Sequence, residues 1–132
     1  MEKAEILVWT SIPGYEGFYE VSNYGDVRSL TRSVPYGRHK KTMYQGRDIK
    51  QFISGSYLSV KLSKAGVTKT KYIHELVLLA FEGYRPTVEG KCEIRHLDGD
   101  KTNNRLGNLK YGTTKENFED RKLHRMGLIA IK

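Results

Sequence analysis

Cysteine is nearly absent from the sequence: Cys92 is the single one among 132 residues, so the chain can form no internal disulfide bond. There is also no apolar run long enough to cross a membrane, and the N-terminal stretch MEKAEILVWT lacks a signal-peptide pattern. No internal repeat or low-complexity tract is visible. These absences argue against a disulfide-stabilised secreted domain and predict a cytoplasmic protein without a membrane partner.

A lone cysteine also leaves no paired CxxC motif, so we expect no structural zinc. Hydrophobic residues make up 38% of the chain and charged residues 29%, which is typical of a globular protein with a thin core. The length fits one domain, or two small units that share a core.

Acidic residues are almost missing from the middle of the chain. Residues 28–71 contain eleven Lys and Arg and one acid, Asp48, so this segment carries a net charge of +10, whereas the whole chain carries +8. Such a block attracts polyanions, and Tyr36, Tyr44 and Tyr57, which could stack on bases or pack internally, are interleaved with it. We therefore predict phosphate contacts by Arg28, Arg32, Arg38, Lys40, Lys41, Arg47, Lys50, Lys61, Lys64, Lys69 and Lys71.

Two stretches of the N-terminal half have the pattern of a β-hairpin. In FYEVSNYGDVRSL, residues 18–30, two runs of strand composition flank the turn SNYGD. In residues 57–74, Leu58, Val60 and Leu62 alternate with polar neighbours, KAG forms a turn, and residues 68–73 return. Residues 31–47 between them are polar and poorly periodic, which predicts a long loop or a ragged hairpin.

The periodicity becomes helical at His74. The segment HELVLLAFEG ends at Gly83, and it places on one helical face Leu76, Val77, Leu79 and Ala80. CEIRH and NLKYG then have strand character, and residues 113–127 have a helical pattern with threonine caps at the start and a glycine at the end. The order predicts an α+β protein whose last third is strand, loop, strand and helix.

Three residues of this last third combine into a candidate site. His96 ends the first strand, Asn108 begins the second strand twelve positions later, and Asn117 lies in the first turn of the last helix. Histidine exchanges protons near neutral pH, so His96 can accept a proton from water, and an amide oxygen suits Mg²⁺. We expect structural roles for the other histidines, and turn-backbone contacts for Asp98, Asn103 and Asn104.

The string RHLDGDKTNNRLGNLKYGTTKENFED, residues 95–120, resembles the signature of the HNH homing-type endonucleases, which have a ββα-metal fold. Upstream, IPGYEGFYEVSNYGDVRSL resembles the N-terminal motif of phage and intron-encoded endonucleases, and YIHELVLLAFEG resembles their connecting helix. The resemblance implies a β-rich, basic DNA-binding region at residues 1–73 and an HNH nuclease unit with its preceding helix at residues 74–132.

The resemblance further implies a metal-dependent endonuclease that hydrolyses phosphodiester bonds of double-stranded DNA, of the homing type found in phages and mobile elements. It assigns Asn117 as ligand of one divalent cation, Mg²⁺ or Mn²⁺. It gives Asn108 a supporting role, bonding across the loop to hold His96 in place. One such site cuts one strand, so we expect a monomer that nicks DNA.

Arg95 departs from the family pattern. Many homing-type members have an aspartate at this place as a second metal ligand, and an arginine cannot ligate a cation. Asp120, three residues after Asn117, is a candidate substitute. Arg95 itself and Arg121, one turn beyond Asn117, could contact the scissile phosphate. The alternative is a DNA- or RNA-binding protein with a decayed nuclease site.

Overall fold

Strands dominate the structure, a computed structural model that describes residues 5–35, 37–83 and 92–113. The elements in chain order are β1 (Trp9–Ser11), β2 (Tyr19–Ser22), β3 (Val27–Ser29), β4 (Arg32–Pro35), β5 (Lys41–Tyr44), β6 (Phe52–Ser54), β7 (Tyr57–Lys64), β8 (Val67–Tyr72), α1 (Ile73–Glu82), β9 (Cys92–His96) and β10 (Leu109–Thr113). This order of a β-rich half followed by a helix and a hairpin confirms the predicted α+β class. The helix predicted over residues 113–127 lies, beyond its first residue, outside the described ranges.

The first sheet is antiparallel in the order β1-β2-β3 and contains the hairpin predicted over residues 18–30. Val21 and Val27 face each other across β2 and β3 and are buried. In the turn between them, the Ser22 hydroxyl oxygen accepts hydrogen bonds from the backbone N–H groups of Tyr24 and Asp26, each at 3.1 Å. A serine side chain that bonds its own turn in this way makes the turn rigid.

Residues 31–47 form a two-stranded antiparallel hairpin of β4 and β5, which confirms the ragged hairpin among the two predicted forms. Its residues are mostly exposed on both faces, and this explains the lack of hydrophobic periodicity in the sequence. Arg32 fixes the base of the hairpin, because its guanidinium lies 4.7 Å from the ring centroids of both Phe18 and Tyr44.

The third sheet is antiparallel in the order β6-β7-β8. The alternation read in β7 is confirmed over Val60, Lys61 and Leu62, since Val60 and Leu62 are fully buried and Lys61 is exposed. It is wrong at Ser59, which is also fully buried. The backbone N–H of Ser63 donates a hydrogen bond of 3.0 Å to the Tyr19 hydroxyl, which ties this sheet to the first.

The helix α1 joins the sheets into one core. It ends at Gly83, whose φ of 87° is the left-handed conformation that favours glycine, so the predicted stop is confirmed. Leu76 and Val77 are buried as predicted, but Leu78 is buried where Leu79 was expected, because α1 packs against both β7 and β10. The shared core contains Ile12, Tyr19, Val21, Val27, Val60, Leu62, Ile73, Leu76, Val77, Leu78 and Leu109.

The strands β9 and β10 form an antiparallel hairpin around the loop of residues 97–108. His96 pairs with Leu109 at the loop end, and Leu109 is buried in the core. Asn108 closes a 3-10 turn that precedes β10, so the strand begins at Leu109, one position later than predicted. The loop is therefore held at both ends by the hairpin and by α1, and it carries most of the candidate site.

Candidate functional site

His96 is the last residue of β9, and its ring is held by a side chain of the loop that follows. The ring nitrogen Nε2 lies 2.9 Å from Oδ1 of Asn104, which is only 4% exposed. An amide oxygen can only accept a hydrogen bond, so Nε2–H is the donor. The neutral ring then keeps its accepting lone pair on Nδ1, and this nitrogen can take a proton from water.

Asp98 is the centre of the hydrogen bonds that shape the loop, and it is 7% exposed. Its Oδ1 accepts from the backbone N–H of Asp100 at 2.8 Å and from Nδ2 of Asn108 at 2.9 Å. Its Oδ2 accepts from Nδ2 of Asn103 at 2.7 Å. Burial alone would raise the pKa of Asp98, but these hydrogen bonds and the nearby His96 outweigh it and lower that pKa below its usual value.

Asn108 crosses the loop, as the resemblance implied, but it does so through Asp98. Its Oδ1 accepts from the backbone N–H of Asp98 at 3.0 Å, and its Nδ2 donates to the carbonyl oxygen of Asn103 at 2.9 Å. The group bonded to the ring of His96 is Asn104, which was expected to satisfy turn backbone. Nothing in the sequence separates the two adjacent asparagines 103 and 104, because only the folded loop turns one toward Asp98 and the other toward the histidine.

Aromatic side chains from other elements pack around the ring of His96. The ring of Tyr57 is nearly parallel to that of His96, with an interplanar angle of 17° and centroids 6.1 Å apart. His74, which is 7% exposed, meets His96 edge-on at 5.3 Å and stacks on Tyr72 at 5.4 Å. Tyr57 thus packs within the protein, one of the two roles foreseen for it, and together these rings restrict the rotation of the His96 imidazole.

Arg95 precedes His96 in β9 and therefore projects from the opposite face of the hairpin. Its aliphatic stem lies across Gly112 of β10, where an added Cβ would come within 2.3 Å of Cδ of Arg95. Glycine at position 112 is thus required for Arg95 to lie across the hairpin. His96 and Arg95 are adjacent in sequence, but the structure does not bring their side chains to one face.

The predicted metal ligands Asn117 and Asp120, and the predicted phosphate contact Arg121, lie outside the described residues, as does His124. Within residues 5–35, 37–83 and 92–113, no group of three His, Cys, Asp or Glu side chains could hold a metal ion. Both carboxylate oxygens of Asp98 are occupied by hydrogen bonds inside the loop.

Four of the predicted DNA-binding residues line one cavity of about 680 Å³ between β4–β5 and the third sheet: Arg32, Arg47, Lys50 and Lys61. Tyr19, Tyr44 and Phe52 complete its walls, and Asp48 is the single acid of the lining. One guanidinium nitrogen of Arg32 is buried there without a hydrogen bond from the described part of the chain. The cavity has the charge and the aromatic surface that a nucleic-acid backbone requires.

The other predicted DNA-binding residues are distributed around the N-terminal region. Arg28 binds Glu20 at 2.7 Å and lies over the ring of Trp9, and Lys64 donates to the carbonyl oxygen of Gly14 at 2.8 Å. Arg38, Lys40 and Lys41 are exposed at the end of the β4–β5 hairpin. Lys69 and Lys71 pair with Leu62 and Val60, so they project from the face of β7–β8 opposite to Lys61.

Two family models match the chain. The NUMOD4 motif matches residues 8–63, which contain the first sheet, the β4–β5 hairpin, β6 and β7 except for its last residue, whereas all of β8 lies beyond the match. The HNH endonuclease family matches residues 71–118, which contain α1, the β9–β10 hairpin with His96 and Asn108, and Asn117. The expected resemblance is confirmed by these matches.

Individual relatives agree with the family matches. The chain is 36% identical to the DNA endonuclease I-HmuI of Bacillus phage SP01 over 116 residues, 86% of this chain and 57% of that protein. It is 34% identical over 121 residues, 89% of this chain and 26% of the relative, to the uncharacterized HNH endonuclease L247 of Acanthamoeba polyphaga mimivirus. The fold is also similar to a solved structure described as DNA binding and cleavage by the HNH homing endonuclease I-HmuI, with a TM-score of 0.65 and 32% sequence identity. The superposition covers 94% of this chain and 62% of that chain. The chain spans less than two thirds of each of these relatives.

Within the described ranges, no helix is long and apolar enough to cross a membrane.

Proposed function

The chain carries a NUMOD4 motif followed by an HNH endonuclease unit, and from this organisation we propose that it is a metal-dependent endonuclease that hydrolyses phosphodiester bonds of double-stranded DNA. The observation that carries the proposal is the bond of 2.9 Å between Nε2 of His96 and Oδ1 of Asn104, inside the hairpin matched by the HNH family. This bond leaves a basic nitrogen on a ring whose position is fixed.

The reaction requires a water molecule to attack the phosphorus while its proton is removed, and the P–O bond to one sugar oxygen breaks as that oxygen leaves with the bonding electrons and takes up a proton from solvent. Nδ1 of His96 accepts that proton, and the Nε2–H···Oδ1 bond holds the ring in the tautomer that can accept it. Asn108 and Asp98 contribute indirectly, because their hydrogen bonds fix the loop that carries Asn104. Tyr57 supports the ring from one side.

HNH endonucleases use a divalent cation, and here Asn117 and Asp120 would hold it together with phosphate oxygens. The side-chain oxygens of both residues are ligands that Mg²⁺ and Mn²⁺ accept, whereas the carboxylate of Asp98 is already occupied. When bound, the cation neutralises the negative charge that develops on the phosphate. Arg121 is assigned to the same phosphate as a positive side chain, whereas the predicted phosphate contact of Arg95 is withdrawn, because Arg95 projects from the face of the hairpin opposite to His96.

Binding of the duplex is assigned to the basic N-terminal region. The cations of the cavity, with those of the β4–β5 hairpin, would contact phosphates and orient the strand toward His96. With one site in each chain, a monomer would nick one strand. I-HmuI comes from a Bacillus phage, and on that ground we place this endonuclease in the cytoplasm of a bacterial host.

One observation favours a second candidate, a DNA- or RNA-binding protein with a decayed nuclease site. Arg95 stands where many homing-type relatives have a metal-binding aspartate, so this chain has one ligand fewer at that place. The two candidates share the basic surface and differ in whether phosphodiester bonds are cleaved.

Supercoiled plasmid distinguishes them. The purified protein is incubated with plasmid in Mg²⁺, in Mn²⁺ and in EDTA, and DNA binding is measured on the same samples. The endonuclease converts supercoiled plasmid to the open circle with a divalent cation and not in EDTA. Binding without conversion in every cation would establish the decayed site, and a preference for structured RNA over duplex DNA would replace the proposed substrate.

A further inference from the structure

The turn of residues 22–26 in the N-terminal motif packs directly on the loop that carries the candidate site. Three consecutive contacts join them. The backbone N–H of Leu106 donates a hydrogen bond of 2.9 Å to the carbonyl oxygen of Asn23, and the guanidinium of Arg105 lies 4.6 Å from the ring centroid of Tyr24. The third contact is that of Gly25 with Asn104. These contacts bridge about eighty positions of sequence and join the two matched family regions.

The contact at Gly25 leaves no free space for a side chain. Its φ is 90°, and an added Cβ would lie 3.0 Å from both Cβ and the carbonyl oxygen of Asn104. Nδ2 of Asn104 is buried and has no hydrogen-bond partner in the described part of the chain. The amide is therefore held against His96 by one hydrogen bond and by packing, and the packing on its backbone side is supplied by Gly25.

The turn itself is rigid, so it can act as a support. Asn23 accepts from the backbone N–H of Val8 at 2.8 Å and donates to the carbonyl oxygen of Ile6 at 2.8 Å. Gln51 donates to the carbonyl oxygen of Gly25 at 3.0 Å. With the serine bonds inside the turn, the backbone that faces Asn104 is fixed from three directions.

We propose that residues 23–25 of the N-terminal motif position His96 by fixing Asn104, and that Gly25 is the positioning residue at the point of contact. The inference rests on the proposed endonuclease function and assigns to this motif a part in the catalytic geometry besides DNA contact. Gly25 acts through Asn104 on the orientation and tautomer of the imidazole.

The test compares two glycines that have the same backbone conformation but different surroundings. Gly25→Ala adds a methyl group against Asn104, whereas Gly17→Ala, at φ 82°, adds it where no atom lies within 4 Å. Both variants carry the strain of alanine at positive φ, so both should lose thermal stability, and Gly25→Ala should lose more because its methyl group also meets Asn104. We expect Gly25→Ala to lower kcat of nicking by about tenfold or more with KM within about twofold, because small misplacements of a catalytic group are costly. Gly17→Ala should retain kcat.

A readout independent of cleavage is the nitrogen-15 NMR spectrum of the histidine side chains without DNA. In the parent protein and in Gly17→Ala, the neutral His96 ring should be protonated at Nε2, and in Gly25→Ala it should become a mixture of tautomers. This measurement holds even if no DNA is cleaved, so it separates failure of the inference from failure of the proposed function. Equal spectra and equal kcat for the two glycine variants would overturn the inference.

A double-mutant cycle adds a second criterion. If Gly25 acts through Asn104, then Gly25→Ala combined with Asn104→Ala is no slower than Asn104→Ala alone. Additive losses would show that Gly25 acts elsewhere. Should Gly25→Ala not fold, Tyr24→Leu removes the contact with Arg105 without backbone strain, and it should shift the tautomer population in the same direction. An unchanged Tyr24→Leu spectrum would then count against the proposal.

Discussion

The chemistry at His96 depends on one proton, the one on Nε2. Asn104 accepts it through an amide oxygen, a neutral partner that fixes the tautomer without adding charge. A carboxylate at the same position would make the same hydrogen bond but would also stabilise the protonated ring.

Asn104→Asp tests this assignment. A carboxylate at Nε2 makes His96 hold its second proton more tightly, so the acidic limb of the pH–rate profile of nicking should move to higher pH, by about one unit or more. Asn104→Ala, the matched variant, removes the bond without adding charge and should lower the rate across the profile. An acidic limb that stays in place in Asn104→Asp would show that this side chain does not act on the base.

The sequence alone could identify the candidate base but not the side chain that binds its ring. His96, Asn108 and Asn117 follow from motif spacing, since strand ends and a helix start have local signals. The partner role of Asn104 depends on how a twelve-residue loop folds back, and two adjacent asparagines have the same local pattern. The faces of Arg95 and of Lys69 depend on strand register, which is fixed only when partner strands pair.

The β9–β10 hairpin and its loop form the element that carries the site. Asp98 anchors the loop because it accepts three hydrogen bonds from backbone and amide donors. A buried carboxylate bound in this way stabilises the folded state as long as it is ionised. The stability of the site loop should therefore depend on pH through this one residue.

Asp98→Asn should reduce the free energy of unfolding at neutral pH by about 1–3 kcal/mol, because an amide cannot accept all three bonds and leaves buried donors unsatisfied. The pKa of Asp98 is lowered on folding, so its contribution is complete above the ordinary aspartate value and is lost as pH falls through the folded-state value. Urea unfolding from neutral to acidic pH measures the difference between the two proteins.

That difference should begin to shrink below about pH 4, where the carboxyl becomes protonated in the unfolded state, and it should be lost once the pH falls below the lower pKa of Asp98 in the folded state. Asp26→Asn, at an exposed aspartate, is the control and should change stability little at any pH. A constant difference between Asp98→Asn and the parent protein down to the lowest pH would show that the charge of Asp98 contributes nothing.

At the scale of the whole molecule, α1 connects the two matched regions through one core. The α+β class and the basic centre were readable from composition and periodicity, because β7 and α1 each bury one face. The strands β1 and β6 could not be predicted from the sequence, since each has three residues and depends on its neighbours for pairing. The single core also explains why the N-terminal turn can reach the site loop.

The charge distribution predicts a strong salt dependence of DNA binding. If the four cavity cations contact four phosphates, the affinity should fall about a hundredfold between 50 and 200 mM salt through counterion release. Fluorescence anisotropy with a labelled duplex measures the slope. Lys61→Ala should make the slope shallower by about one unit, whereas Lys69→Ala, on the opposite face, should change it less. Equal changes in the two variants, or affinity independent of salt, would contradict this surface.

The most direct measurement is the single-turnover nicking rate of His96→Ala at saturating protein and divalent cation, with His39→Ala, at an exposed histidine, as its control. Loss of the general base should reduce the rate by about a hundredfold or more while DNA affinity is unchanged, and His39→Ala should cut at the parental rate. If His96→Ala and the parent protein nick DNA equally fast, His96 is not the base, and the proposed site is wrong.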